Sequence, residues 1–298
     1  MPSVFGKLFT RRPLTDPEDG RALIRLIGEH VPSWLPHRYG WSIPLRNVYD
    51  PERFEEFWKG LEYNLDWRNA QRTSTGHVTT RVGPRDTLSS VELSGEQDPA
   101  LRLAGLAAGL AGLLRDCGQP LDLTYAVLHL FHPDELFTGN HGGHMFGDIR
   151  GTPVLGVAEL GLKECLPDLA WGNVFGPPYV ELFGGAGRLR GAPAALVAEL
   201  GPDRFYLQLT GDITDVRDDR AAFTAARDSV KEHLGADCFA GYRGPLRAPR
   251  LPMAAQEGLW SPPAGFEVPD DLRQMLDQAV RDGKTLPPPA GVIEQDPQ

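Results

Sequence analysis

A chain of 298 residues, 41% hydrophobic and 23% charged, can bury a sizeable core as one large domain or two small ones. Its net charge of −10 repels nucleic acid and anionic membrane and attracts a basic partner. No window approaches the roughly 20 apolar residues that span a bilayer, and three cysteines with no CxxC pair (Cys117, Cys165 and Cys238) argue against a disulfide framework or a cysteine zinc site and for a reducing cytoplasm.

In chain order, residues 1–15 read as a loose leader. They carry an apolar patch but no long apolar region and no small-residue cleavage site, so no signal peptide is expected. Asp16 to Val31 predicts a helix: Asp16 caps it, Pro17 takes its first position, Glu18 and Asp19 suit its N-terminus, and Leu23, Ile24, Ile27 and Val31 form its apolar face. Pro32 to Trp41 reads as an aromatic loop broken by proline. Asp50-Pro51 starts a second helix running to about Leu65, with Phe54, Phe57, Trp58 and Leu61 as a core stripe. His77 to Val82 and Thr87 to Leu93 alternate about Gly83-Pro84-Arg85-Asp86 as a β-hairpin. Pro99 to Cys117 is a helix rich in Ala, Leu and Gly. Its Gly105, Gly109 and Gly112 each cost roughly 1 kcal/mol against Ala, and its smooth surface suits close approach to a sheet. Leu121 to Phe131 follows as a strand.

After a Gly-rich loop, Asp134 to Pro153, and a short helix, Ala158 to Leu166, comes the stretch that organises the chain, Asp168 to Phe239. Trp171, Val174 and Phe175 form a strand stopped by Gly176-Pro177-Pro178, and the prolines start a two-turn helix with Tyr179, Leu182 and Phe183 on its apolar face. Gly184-Gly185 ends that helix. Ala194 to Leu200 and Phe205 to Leu209 flank the turn Gly201-Pro202-Asp203 as a hairpin whose second strand alternates as if half-buried. Arg220 to Leu234 is a long helix with Ala222, Phe223, Ala226, Val230 and Leu234 at helical spacing, stopped by Gly235. The expected fold is α+β: a mostly antiparallel sheet with helices packed over one face, in two hairpin-plus-helix halves. The expected domain runs from 16 to 244. Beyond it lies a proline-rich extension, 245–298, with one helix at Asp270 to Arg281 and a disordered tail.

Few residues offer chemistry. His141 and His144 with Asp148 could hold a metal, with His129 and His132 as further donors, but an H-x-x-H between glycines on a loop lacks the fixed geometry of two histidines on one helix face. No G-x-S-x-G elbow is present, Cys117 and Cys238 sit near helix ends where packing is their role, and Gly184 to Gly187 lacks the Lys-Ser/Thr of a P-loop. Asp212, Asp215, Asp218 and Asp219 open the long helix. They complement its dipole or form an acidic loop facing a partner. No cofactor and no catalytic residue is expected.

The segment LPDLAWGNVFGPPYVELFGGAGRLRGAP, followed by FYLQLT and VKEHLGADCF, resembles the immunity proteins of bacterial polymorphic-toxin systems, of the immunity protein 52 and type VI immunity kinds. The likeness covers about two-thirds of the chain and rests on Trp171, Asn173, Gly176, Tyr179 and Gly184, which belong to a strand–turn–helix. The N-terminal helices and the proline-rich C-terminus depart from the pattern. The resemblance implies a non-enzymatic cytoplasmic protein that binds a cognate protein toxin tightly, an acidic surface meeting a basic groove, with no nucleic acid or membrane partner. A metal-assisted hydrolase and a structural part of a phage-like or secretion assembly stand beside it as alternatives.

Overall fold

Eight residues near the N-terminus hold the middle of the sheet. In the computed structural model, which describes residues 3–80, 88–96, 103–130, 162, 165–240 and 242–251, Ser3–Thr10 forms β1. It pairs antiparallel with Ser89–Glu96 (β6) on one side and Leu123–Leu130 (β7) on the other. The expected loose leader is therefore corrected. Val4, Phe5, Leu8 and Phe9 are buried. Strand partners 79 and more residues away give such a segment no local signature.

Between β1 and β6 the chain forms β2 (Arg38–Gly40), β3 (Asn47–Val48), β4 (Asn64–Arg68) and β5 (Ser74–Thr79). After β7 it adds β8 (Gly172–Phe175), β9 (Leu196–Gly201) and β10 (Arg204–Gln208). The ten strands lie in the order β3-β2-β4-β5-β6-β1-β7-β8-β10-β9, all pairs antiparallel. With the helices α1 (Pro17–His30), α2 (Pro51–Trp58), α3 (Leu103–Cys117), α4 (Pro177–Leu182), α5 (Ala186–Arg190), α6 (Asp215–Asp218) and α7 (Arg220–Leu234), this is the α+β fold the periodicities predict.

One row across the sheet shows how its two halves differ. Asp66, His77, Glu92, Lys7, Val127, Asn173 and Leu207 are successive cross-strand partners on β4, β5, β6, β1, β7, β8 and β10. The first four are polar and partly exposed, and the last three are fully buried. The reason is coverage. Both halves are covered on the opposite face, by Trp34, which follows α1, against Gly95, and by Leu114 of α3 against Gly6. Beyond β1 a second layer covers this face too: Tyr179 of α4 lies 5.3 Å from the ring of Tyr125, and Phe223 of α7 5.7 Å from His129. The expected helical layer over one face is present; the second layer adds to it. It also explains why β7 is buried at all eight positions and why β10, expected to be half-buried, keeps Tyr206 as dry as Phe205.

Local chemistry sets most boundaries. Asp16 accepts from the amide of Glu18 to cap α1, and Asp50 from Arg53 to cap α2, each with Pro at the first helical position. The second helix ends at Trp58, not Leu65: Gly60 follows, and Leu65 and Trp67 turn inward at strand period between outward Asn64, Asp66 and Arg68. The expected loop Pro32 to Trp41 contains a 3-10 turn, Pro32–Trp34, and strand β2. The predicted hairpin is β5–β6, with residues 81–87 outside the described residues. Gly109 and Gly112 admit a helix end where a sheet was expected. A Cβ on Gly109 would fall 2.4 Å from the carbonyl oxygen of His30, and one on Gly112 2.6 Å from its ring. Leu110, Leu113 and Leu114 are fully buried leucines of α3. The loop 134–153, most of the helix 158–166, and residues 252–298 with the predicted helix 270–281 lie outside the described residues.

Candidate functional site

The strand–turn–helix from Asp168 to Gly185 is held by its own side chains. Asn173 is fully buried in β8. Its Oδ1 accepts from the amide of Ala170 at 2.9 Å, and its Nδ2 donates to the carbonyl of Ala170 at 2.8 Å, closing the turn into the strand. Trp171 donates its indole N–H to the carbonyl of Thr210 at 3.1 Å. Gly176 passes so close to β7 that a Cβ would fall 2.6 Å from the carbonyl oxygen of Leu123. Gly184 and Gly185 have φ of 89° and 104°, the left-handed region that glycine enters without strain. These residues shape the backbone of the strand–turn–helix, Asn173, Trp171 and Gly176 by contacts and Gly184 and Gly185 by conformation.

The four candidate aspartates lie together around α6, largely engaged with their own backbone. Asp212 Oδ1 accepts from the amide of Thr214 at 2.9 Å, and Asp215 Oδ2 from the amide of Asp212 at 3.3 Å. Asp219 caps α7 by accepting from Ala222 at 3.1 Å. Asp218 is exposed and pairs with Arg217 at 2.6 Å, a hydrogen bond that holds its carboxyl below the usual range. Asp212 also lines a cavity of about 190 Å³ between α3 and the end of β10, where Arg115, Trp171 and Gln208 face it. The Arg115 guanidinium sits 5.7 Å over the ring of Tyr206.

Other groups are placed as follows. His141, His144, Asp148 and His132 lie outside the described residues. His129 is buried, and its Nδ1 accepts the amide of Trp171 at 3.2 Å, so its role in the described structure is to order β7 against β8. Among the described residues no three His, Cys, Asp or Glu side chains converge as a metal site. Cys117 and Cys238 are buried as expected. Burial pushes the Cys117 thiol far up, and that of Cys238 to about 11, against the pull of Arg247.

Two features escaped the sequence reading. On the open sheet face, Asp66 Oδ1 lies 2.7 Å from His77 Nδ1, and His77 Nε2 lies 2.8 Å from Thr79 Oγ1. The chain of contacts follows from pairing Asp66 with His77, a register invisible until β4 is recognised as a strand. The other is a groove of about 320 Å³ between α1 and α2, floored by Ile24, Tyr49, Phe54 and Trp58. Both helices were predicted; their packing was not.

No protein-family model matches the chain, nor does any curated protein. Among solved structures, the Pseudomonas aeruginosa T6SS protein PA0821 aligns with 77% of this chain and 76% of its own length, at 13% identity and a TM-score of 0.49. A chain from the complex of the toxic C-terminal tip of Pseudomonas aeruginosa CdiA with its immune protein aligns with 46% of this chain and 92% of its own, at 11% identity and a TM-score of 0.24. No helix among the described residues is long and apolar enough to cross a membrane.

Proposed function

We propose that this chain is a cytoplasmic immunity-type protein that binds a bacterial protein toxin and neutralises it by occlusion, without chemistry of its own. The reading is carried by one observation: the residues on which the resemblance rests, Trp171, Asn173, Gly176, Tyr179 and Gly184, all serve to build one strand–turn–helix. Residues spent on building a scaffold leave function to the surfaces that the scaffold presents. The net charge of −10 favours encounter with a basic toxin, a rate effect that salt suppresses. The segment Asp212 to Asp219 belongs to that acidic field, with Asp218 and Asp219 exposed, and the reading takes it as partner-facing.

The test is direct. Purified chain is mixed with the protein encoded by the neighbouring reading frame, and association is measured at low and high salt. A tight complex that weakens with salt and abolishes toxicity is expected. No association at any salt would overturn the reading.

A further inference from the structure

The rim and floor of the groove between α1 and α2 differ in a way that selects an occupant. Its floor is apolar, and its cations are already engaged. Arg21 bonds Glu18 and, at 2.6 Å, Glu55, while Arg25 bonds Glu29 at 2.7 Å. Glu52, exposed on the rim, has no ion-pair partner among the described residues. Among the residues that line the groove, the unspent charge is therefore negative.

Behind the floor, ring contacts through the buried interior hold its aromatic side chains in place. Trp58 meets Phe54 at 5.8 Å, Phe54 meets Tyr39 at 4.9 Å, Tyr39 meets Phe57 at 5.0 Å, and Phe57 stacks on Trp41 at 3.8 Å. An apolar cleft open at the surface marks an interaction site, and tryptophan and tyrosine, here Trp58 and Tyr49 in its lining, are enriched among residues that dominate binding energy.

We propose that this groove is a docking site for a protein segment that places an apolar side chain on the Ile24, Phe54 and Trp58 floor and a lysine or arginine against Glu52. Only the identity of that partner as a toxin rests on the immunity reading. The site lies in the N-terminal helices, the part of the chain outside the resemblance. Specificity for one partner therefore sits apart from the shared scaffold.

Two measurements separate the ideas. In the first, a short synthetic peptide of alternating lysine and leucine is titrated into the labelled full-length chain, with nuclear magnetic resonance shifts read at Ile24, Tyr49, Glu52 and Phe54. Shifts confined to the groove and lost in Glu52→Lys are expected. Shifts absent from the groove, or unchanged in that variant, overturn the docking site whatever the partner is. In the second, the neighbouring-frame protein is the probe. Glu52→Lys and Glu52→Gln, at an exposed position, should weaken the complex, the lysine variant roughly ten-fold or more at low salt and the glutamine variant less, with both effects shrinking as salt rises. Glu232→Lys on α7 should leave affinity within about two-fold. A complex that forms equally well with the groove variants overturns the groove and leaves the immunity reading standing. A groove that takes the peptide while the neighbouring protein never binds sustains the docking site and sinks the toxin.

Discussion

Gly76 lies directly opposite Trp67 on paired strands β5 and β4, and the indole covers it: a Cβ on Gly76 would fall 2.0 Å from the ring. Both residues are buried, Trp67 at 1% exposure, so the ring has no free volume into which to retreat. Gly76→Ala should lower stability by about 1–3 kcal/mol, the usual cost of overpacking, read as a drop in the urea midpoint with unchanged slope. A midpoint equal to that of the native chain would show that the indole can move aside.

Tyr125 and Tyr179 are fully buried with rings 5.3 Å apart, and neither hydroxyl has a hydrogen-bond partner among the described residues. Burial raises the pKa of both hydroxyls. An unpaired buried hydroxyl costs about 1–3 kcal/mol, so Tyr179→Phe and Tyr125→Phe should be neutral or stabilising by up to about 1 kcal/mol. Thermal unfolding of the two variants decides this. A clear loss in either would mean that the hydroxyl is bonded in solution, for instance to an internal water.

Asp219 separates capping from partner contact. Its side chain accepts from Ala222 at the start of α7, so Asp219→Ala should lose about 1 kcal/mol. Asp219→Ser keeps the cap without the charge and should restore most of that stability. If the serine variant folds as the native chain does and still loses partner affinity, the carboxylate also faces the partner. If both stability and affinity return with serine, its role is the cap.

The Cys238 thiol is held up to about 11, by burial first, and that of Cys117 is raised further by the same cause. A thiol that ionises less readily in the folded state leaves stability unchanged below its ordinary value near 9. It lowers stability as pH rises from there towards the folded value. Unfolding free energy should therefore be level through neutral pH and fall between about 9 and 11, and Cys238→Ala should make that fall shallower. A slope identical in the variant would remove Cys238 as a cause.

Much of this fold was legible because its signals are local. Asp16-Pro17 and Asp50-Pro51 mark helix starts by capping chemistry, and Gly201-Pro202-Asp203 marks a hairpin turn. The run from Arg220 to Leu234 keeps one apolar face and stops at Gly235, whose φ of 109° glycine alone adopts easily. Of the four aspartates expected to open the long helix only Asp219 caps it, and it was legible for the same reason, a cap being satisfied within three residues of itself; Asp215 and Asp218 belong to the separate short helix α6 and Asp212 precedes it.

What the sequence could not show was which surfaces meet. Strand β1 is a strand only because β6 and β7 flank it, and the same alternation that reads as half-buried in β10 is buried on both sides once α3 and the second layer cover the sheet. The groove arises from two correctly predicted helices, and the contact of Asp66 with His77 from a register between two strands. Short-range rules of capping, turns and periodicity are written in neighbouring residues and determined the elements. Coverage and juxtaposition depend on contacts between residues far apart in the chain, and only the packed tertiary structure decides those.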